Sequence, residues 1–344
     1  MSSFGSYQTI CETVPLPLCA LVGPYNGAVS TIGTGIEATC YSRTIEAANT
    51  IIFQAASDFV HIGALIMCMI MIFHVRSKFT AVGRKEILTF FYLFMLLTVC
   101  SLCLDSGVIP IGSTTYAYFV AVQCGLASAV CTCLLINGFL GYQVYEDGTI
   151  LSIWLMRVLV LVMFLLNGAI AICTFQGYGG LSPTNTIALF VLQYIVNGLF
   201  VVTYVIAQII LVLATLEDRW ALGDIAFGIF FFAIGQILLY VFSSKICQEA
   251  QHYLDGLFLA SICNLLAVMM VYKYWDSITK EDLEFSVSAQ TNVWEVKEPL
   301  LDDSDRRQTI YDQSPGSGSD YGANTGYHNN SQNRLSQNYY GEHY

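Results

Sequence analysis

Residues His74–Glu86 read HVRSKFTAVGRKE. Four of the chain's 14 basic residues fall in this short stretch: Arg76, Lys78, Arg84 and Lys85. Apolar runs at 50–73 and 87–104 flank it on either side. Short loops rich in Lys and Arg stay on the cytosolic side of a membrane. The stretch therefore predicts a cytosolic loop between two membrane-spanning helices, and it sets the orientation of every other segment.

The composition is that of a membrane protein. Of the 344 residues, 55% are hydrophobic and only 11% are charged, whereas soluble proteins carry about 25% charged residues. The net charge of −11 is concentrated at the C-terminus, because 12 acidic and 5 basic residues follow from Asp276 onward and give −7. No basic surface remains for a nucleic acid, so the lipid bilayer is the predicted environment.

Seven apolar runs are long enough to cross roughly 30 Å of hydrocarbon as helices. Helices are required because lipid cannot hydrogen-bond to free backbone groups. The runs lie at 50–73, 87–104, 114–140, 150–173, 186–214, 225–243 and 256–275. We therefore predict an all-α polytopic membrane protein with seven transmembrane helices.

The distribution of basic residues orients this bundle. If His74–Glu86 is cytosolic, seven of the basic residues close to the span ends lie on the cytosolic side and only Arg43 and Lys245 lie on the other, as the positive-inside rule requires. The N-terminus is then lumenal and the C-terminus cytosolic.

Three regions follow from these boundaries. Residues 1–49 form a lumenal segment that we expect to pack on the bundle as a lid, and residues 50–275 form the bundle. Residues 276–344 are acidic and rich in Ser, Asn, Gln, Gly and Tyr, with too little apolar content to fold alone. We predict a disordered cytosolic tail there.

Four of the 12 cysteines fall in predicted lumenal segments: Cys11, Cys19, Cys40 and Cys247. An even number of cysteines in an oxidising compartment favours disulfide bonds. Four cysteines allow three complete pairings, and the sequence does not choose among them. The remaining cysteines lie in or at the edges of spans, where most serve as small packing residues.

Two ionisable residues fall within the first span. Asp58 and His61 are three residues apart and so share one helix face. Ionisable residues inside a membrane usually face protein or water. Two interpretations stay open: a polar binding site or proton relay, and a buried hydrogen-bonded pair that orients the helix.

Other polar residues within the spans are candidates for contacts between helices. An Asn-Gly pair recurs every thirty residues, beginning at Asn137, Asn167 and Asn197. Asn can hydrogen-bond across helices, and Gly lets them approach closely. Arg157 lies within the fourth span, from which its long side chain could reach back to the membrane surface.

No constellation of catalytic residues is visible. His61 is the only histidine inside a predicted span, so a zinc site cannot be assembled within the bundle. The chain carries no glycine-rich phosphate loop and no Ser-His-Asp spacing. We predict no enzyme activity, no cofactor and no metal. A ligand-sensing receptor and a small-solute transporter remain as alternatives, although the receptor's helix-end motifs and the transporter's several intramembrane charges are missing.

The N-terminus carries a resemblance to a known family through a series of short patterns: Phe4-Gly5, Ile10-Cys11, Leu16-Pro17-Leu18-Cys19 and Val22-Gly23. With the region of Asn49, Asp58 and His61, the chain resembles the fungal chitin synthase export chaperones over about residues 1–275.

The resemblance implies a seven-span protein of the endoplasmic reticulum membrane that helps chitin synthase, a polytopic client, to fold or assemble and to leave for the cell surface. It implies no catalysis and a role in cell-wall chitin synthesis, and leaves open whether the chaperone travels with its client. The tail carries two diacidic strings, Glu281-Asp282-Leu283-Glu284 and Asp302-Asp303-Ser304-Asp305. Such strings resemble signals read by vesicle-coat proteins, but they are also common in solvated, disordered linkers, and both interpretations stay open.

Overall fold

The computed structural model describes residues 4–24, 35–47, 50–79, 81, 83–142, 149–215 and 220–295. The chain divides into two compact units, Met1–Val287 and Ser288–Tyr344. In the second unit the described residues are the end of a helix that closes at Glu295. The predicted tail beyond Glu295 and the polar loop at Glu146 lie outside the described residues.

The described elements, in chain order, are α1 Gln8–Thr13, β1 Ile45–Ala47, β2 Thr50–Ile52, α2 Ala55–Ser77, α3 Arg84–Asp105, α4 Thr114–Leu140, α5 Ile150–Gln176, α6 Ile187–Ala214, α7 Trp220–Tyr240, α8 Ser243–Glu249 and α9 Gly256–Glu295. Seven of these helices are long and apolar enough to cross a membrane: α2 to α7 and the Gly256–Thr279 part of α9. The predicted all-α, seven-span fold is confirmed.

The predicted start of the first span, at residue 50, is wrong. Residues Thr50–Ile52 form β2, which pairs antiparallel with β1, and the helix begins only at Ala55. Gln54 has a left-handed backbone with φ 45°, which interrupts the chain between strand and helix. Phe53 N–H donates to the Ser106 carbonyl at 3.3 Å. All three residues of β2 are β-branched, and β-branched residues favour a strand. The sequence does not reveal this strand, because it directly precedes a long apolar run that is typical of a membrane helix.

The last two spans also depart from the predicted bounds. Helix α7 begins at Trp220 rather than at residue 225. Helix α9 runs without interruption to Glu295, so the prediction of a disordered tail from residue 276 is wrong for residues 276–295, which extend this helix.

Helix α4 lies at the centre of the bundle. Half of the residues in its most apolar stretch are buried, and it contacts α3, α5 and α6. A Cβ atom added at Gly125 would lie 2.8 Å from the Phe164 carbonyl oxygen, so α4 and α5 approach this closely only because Gly125 has no side chain. Buried residues of α2 and α3 pack against Val268 and Tyr272 of α9, which brings the last span beside the first two.

The N-terminal segment covers one end of the bundle. We call its described residues, 4–24 and 35–47, the lid. Tyr7 and Val22 are fully buried in one apolar cluster with Tyr116 of α4 and Leu189 of α6. The Tyr116 hydroxyl donates to the Pro17 carbonyl at 3.1 Å. In a seven-span chain the first, third, fifth and seventh spans all begin on the side of the membrane that holds the N-terminus. The lid therefore lies at the end of the bundle where these four spans begin, which are α2, α4, α6 and α9.

Candidate functional site

Two disulfide bonds hold the lid. Cys11 pairs with Cys19 inside the lid, and Cys40 pairs with Cys247 of α8. This is one of the three pairings that the sequence left open. The second bond closes a separation of 207 residues and ties the lid to the helix that precedes the last span.

A histidine lies directly on the second disulfide. His252 Nδ1 is 3.1 Å from Cys40 Sγ and 3.7 Å from Cys247 Sγ. From the sequence alone His252 is one loop histidine without a partner. The signal that could have revealed it is local: Cys247 and His252 are five residues apart across a helix end, and the His252 N–H donates to the Cys247 carbonyl at 2.9 Å.

A polar cluster lies beneath the lid. His61 Nε2 is 3.1 Å from Asp105 Oδ2. Asp58 is 7% exposed, and neither of its carboxylate oxygens has a hydrogen-bond partner among the described residues. The structure therefore does not join Asp58 to His61, which was one interpretation of their spacing. The histidine's partner is the last residue of α3 and was missed because it lies 44 positions away.

Asp255 is the fourth ionisable residue in this region, and it caps the last span. Its side chain is fully buried, and Oδ1 accepts a hydrogen bond from the Phe258 N–H at 3.0 Å. Burial raises the pKa of Asp255, the nearby Asp105 raises it further, and the Phe258 N–H opposes the shift. Of these four side chains, His61 and Asp105 are in hydrogen-bond contact and can share a proton, while Asp255 fixes the start of α9. The cluster contains no nucleophile paired with a base.

Asn167 connects three helices. It is fully buried, and its Nδ2 donates to the Cys124 carbonyl at 3.0 Å, to Ser128 Oγ at 2.5 Å and to Gln193 Oε1 at 2.9 Å. These acceptors belong to α4 and α6, so one side chain of α5 links both neighbours.

The other two predicted asparagines behave differently. Asn137 donates to the Cys133 carbonyl at 2.8 Å and Asn197 to the Gln193 carbonyl at 3.0 Å, each within its own helix. A second link between helices, which the Asn-Gly pattern does not contain, comes from Gln208 Nε2, which donates to the Gly138 carbonyl at 3.0 Å. The thirty-residue repeat therefore does not correspond to a repeated contact.

The four basic residues of the His74–Glu86 loop are exposed or partly exposed. Lys78 forms an ion pair with Asp276 of α9. The Arg76 guanidinium lies 5.7 Å from the Tyr92 ring centre and that of Arg84 lies 5.5 Å from Phe79. Lys85 is exposed. This loop is thus connected to the far end of the last span.

The outer faces of the bundle differ in how much surface they leave uncovered. Only 11% of the most apolar stretch of α7 is buried within the protein, against 22% in α5 and 50% in α4. Phe227 and Phe230 of α7 are 58% and 53% exposed, and an added Cβ at Gly223 would meet no atom within 4 Å. Arg157 lies exposed on the outer face of α5, two turns from the helix start.

Comparison with known proteins identifies the family. The family model described as chitin synthase export chaperone matches residues 3–289. The chain belongs to the chitin synthase export chaperone family. It is 63% identical to the chitin synthase export chaperone of Fusarium oxysporum f. sp. lycopersici over 315 residues, which are 92% of this chain and 93% of that protein.

Two further relatives of the same name are matched almost end to end. Identity to the chaperone of Aspergillus clavatus is 59% over 98% of this chain and 99% of the relative. Identity to that of Neurospora crassa is 56% over 98% and 97%. No solved structure matches. The resemblance seen in the opening patterns is thereby confirmed, and the region shared with the chitin synthase export chaperone family contains the lid, both disulfides and all seven spans.

Proposed function

We propose that this chain is a membrane chaperone needed for the folding or assembly of chitin synthase and for its export from the endoplasmic reticulum, and that it thereby supports cell-wall chitin synthesis. The observation that carries the proposal is 56–63% identity, over more than nine-tenths of the chain, to proteins named chitin synthase export chaperone. It favours a chaperone over the receptor and transporter alternatives. The role needs no catalytic group of its own.

We also propose an orientation, with the lid in the lumen of the reticulum and the His74–Glu86 loop in the cytosol. Lys273 lies at the same end of the bundle as the loop, 3.3 Å from Asp224, while Arg43 and Lys245 lie at the lid end. The excess of basic residues away from the lid agrees with the positive-inside rule. The two disulfides belong in an oxidising compartment, which supports a lumenal lid.

The client surface that we propose is the exposed face of α7. Asn167 and Gln208 already use their donors inside the bundle, so they are not available to a client in the folded chaperone. Helix α7 instead offers an open glycine at Gly223 beside the exposed rings of Phe227 and Phe230. Close packing over small residues drives helix association in lipid, and a few such contacts suit a client that must later be released.

The proposed partners of the tail are vesicle-coat proteins that read its diacidic strings. Removal of residues 296–344 deletes the string Asp302-Asp303-Ser304-Asp305 and keeps α9 whole to Glu295. If client binding and client export both survive this deletion, the tail has no role in export.

A deletion strain tests the main proposal. Chitin synthase and an unrelated plasma-membrane protein are followed by fluorescence in the same cells. We expect the synthase to be retained in the reticulum while the unrelated cargo reaches the surface. Normal delivery of the synthase would refute the proposal, and loss of both cargoes would indicate a general trafficking role instead.

The client surface is tested by complementation of that strain. Phe227→Ala with Phe230→Ala should reduce synthase export and co-purification of the synthase. A matched control is Leu161→Ala with Leu165→Ala, since these α5 side chains are 54% and 56% exposed to the same surroundings. Equal export by both double variants would exclude α7 as the contact surface. Fluorescent tagging of the chaperone itself shows whether it travels with its client.

A further inference from the structure

The turn after α8 places His252 against the Cys40–Cys247 disulfide. Gln251 and His252 both have left-handed backbones, with φ 52° and 67°, a conformation that residues other than glycine rarely adopt. The turn is held from both sides: His252 N–H donates to the Cys247 carbonyl at 2.9 Å, and Arg43 N–H donates to the His252 carbonyl at 2.7 Å. Such outliers persist where the surrounding structure imposes them, and they mark candidate functional positions.

The positions of the three side chains match the needs of a tetrahedral zinc ion. With Zn–S near 2.3 Å and Zn–N near 2.0 Å, tetrahedral ligands lie about 3.5 Å apart for N and S, and about 3.8 Å apart for two sulfurs. His252 Nδ1 already lies 3.1 Å and 3.7 Å from the two sulfur atoms. The two sulfurs must separate, and Cys40 Sγ must also move slightly away from Nδ1. The Cα atoms of Cys40 and Cys247, 6.2 Å apart, leave room for both movements by side-chain rotation.

We propose that Cys40, Cys247 and His252 form a zinc-binding site when the disulfide between the two cysteines is reduced. A dithiol reductant supplies two electrons and two protons, is itself oxidised to a disulfide, and leaves two thiols on this chain. Zn²⁺ then binds two thiolates and Nδ1, and both thiol protons pass to solvent. Two thiolates balance the charge of the ion, and water takes the fourth position of a three-ligand site.

The histidine has two roles that depend on its tautomer. With the proton on Nδ1, His252 donates to the Tyr41 carbonyl oxygen at 3.2 Å. With the proton on Nε2, Nδ1 is free to ligate the ion. The side chain is exposed, so an ion can reach it from solvent. In the reduced protein, coordination of Cys40 and Cys247 to the same zinc ion replaces the disulfide bond between the lid and α8. The lid therefore stays attached to α8 under reducing conditions.

The first disulfide provides an internal control. Cys11 and Cys19 are 0% and 3% exposed. Among the described residues the only group of His, Cys, Asp and Glu side chains spaced for a metal ion is the one formed by Cys40, Cys247 and His252. Zinc should therefore bind to Cys40 and Cys247 in the reduced protein and not to Cys11 and Cys19.

The test uses the full chain purified in detergent. The protein is reduced with a phosphine, which leaves no thiol to compete, and is equilibrated with Zn²⁺ and a competing chelator. Bound zinc is measured by mass spectrometry. Alkylation of each cysteine, with and without zinc, is mapped on peptides.

We expect one zinc ion per reduced chain and none in the oxidised chain, with zinc protecting Cys40 and Cys247 from alkylation but not Cys11 and Cys19. Loss of an outer-shell partner of a metal ligand lowers affinity 10–100-fold, so His252→Ala, which removes a ligand, should lower it at least tenfold. His74→Ala, an exposed histidine at the other end of the bundle, should leave affinity unchanged. The proposal is overturned if reduced protein binds no zinc, if protection falls on other cysteines, or if His252→Ala binds as tightly as the parent.

Discussion

Replacing Asn167 by Ala should lower the free energy of unfolding of the bundle by about 2 kcal/mol. The Nδ2 atom has two hydrogens, so at most two of its three acceptors on α4 and α6 are served at once. A hydrogen bond between membrane helices contributes about 0.6 kcal/mol on average and about 1.7 kcal/mol at most, which gives roughly 1–3 kcal/mol for two. The cavity left by the substitution adds to the loss, while removal of Oδ1, which has no partner among the described residues, subtracts from it.

The other two asparagines of the repeat are matched controls. Asn137 and Asn197 donate to carbonyls of their own helices, and such bonds add little to helix stability. We expect Asn137→Ala and Asn197→Ala to change the free energy of unfolding by less than about 0.5 kcal/mol. Unfolding in mixed micelles with a rising mole fraction of dodecyl sulfate, followed by the circular dichroism of the helices, measures all three.

A double-mutant cycle isolates the link to α6. Asn167→Ala and Gln193→Ala, made singly and together, should show a coupling of about 0.6–1.7 kcal/mol. Zero coupling, or an equal loss in all three asparagine variants, would show that Asn167 acts through its volume and not through hydrogen bonds between helices.

Three further outcomes are expected. Gly125→Val should destabilise the protein by a few kcal/mol, since a side chain there meets the backbone of α5; Gly198→Ala, which meets no atom within 4 Å, should change the unfolding transition little. Because burial raises the pKa of Asp255, the free energy of unfolding should fall as the pH rises from about 4 up to the raised pKa. Asp255→Asn should reduce that fall by the part that Asp255 contributes, as thermal unfolding of both proteins at about pH 5 and about pH 8 would show. Reversing the four basic charges of His74–Glu86 should invert part of the population, detected by reduced glycosylation of a sequon introduced into the lid; unchanged glycosylation would contradict the role of this loop in orientation.

The number of membrane helices could be read from the sequence because span length and apolarity are properties of a continuous stretch. All seven spans were located within five residues at both starts and ends. The bounds failed where a tertiary contact intervened. Residues 50–52 are as apolar as a helix requires, yet they form a strand, and Phe53 is hydrogen-bonded to a residue at the end of α3.

The sequence could predict which polar residues lie within the spans, but it could not predict which residues they contact. The sequence placed Asp58 and His61 on one face, and only the packing of α2 against α3 brought Asp105 to the histidine. Likewise three asparagines share one local pattern, but Asn167 alone among them faces two neighbouring helices. The rotation of each helix about its own axis decides which asparagine faces a neighbouring helix. The sequence pattern specifies this rotation only weakly when apolar side chains cover every face of the helix.

By itself the sequence determined the seven membrane spans, the charged loop that predicts their orientation, the set of cysteines available for disulfides and the family. All of these depend on composition and order along the chain. The tertiary structure alone decided that Cys40 joins Cys247 and that His252 lies on that bond. Residues separated by 207 positions meet only after the lid has packed on the bundle, so the placement of these ligands is a result of packing that no local pattern contains.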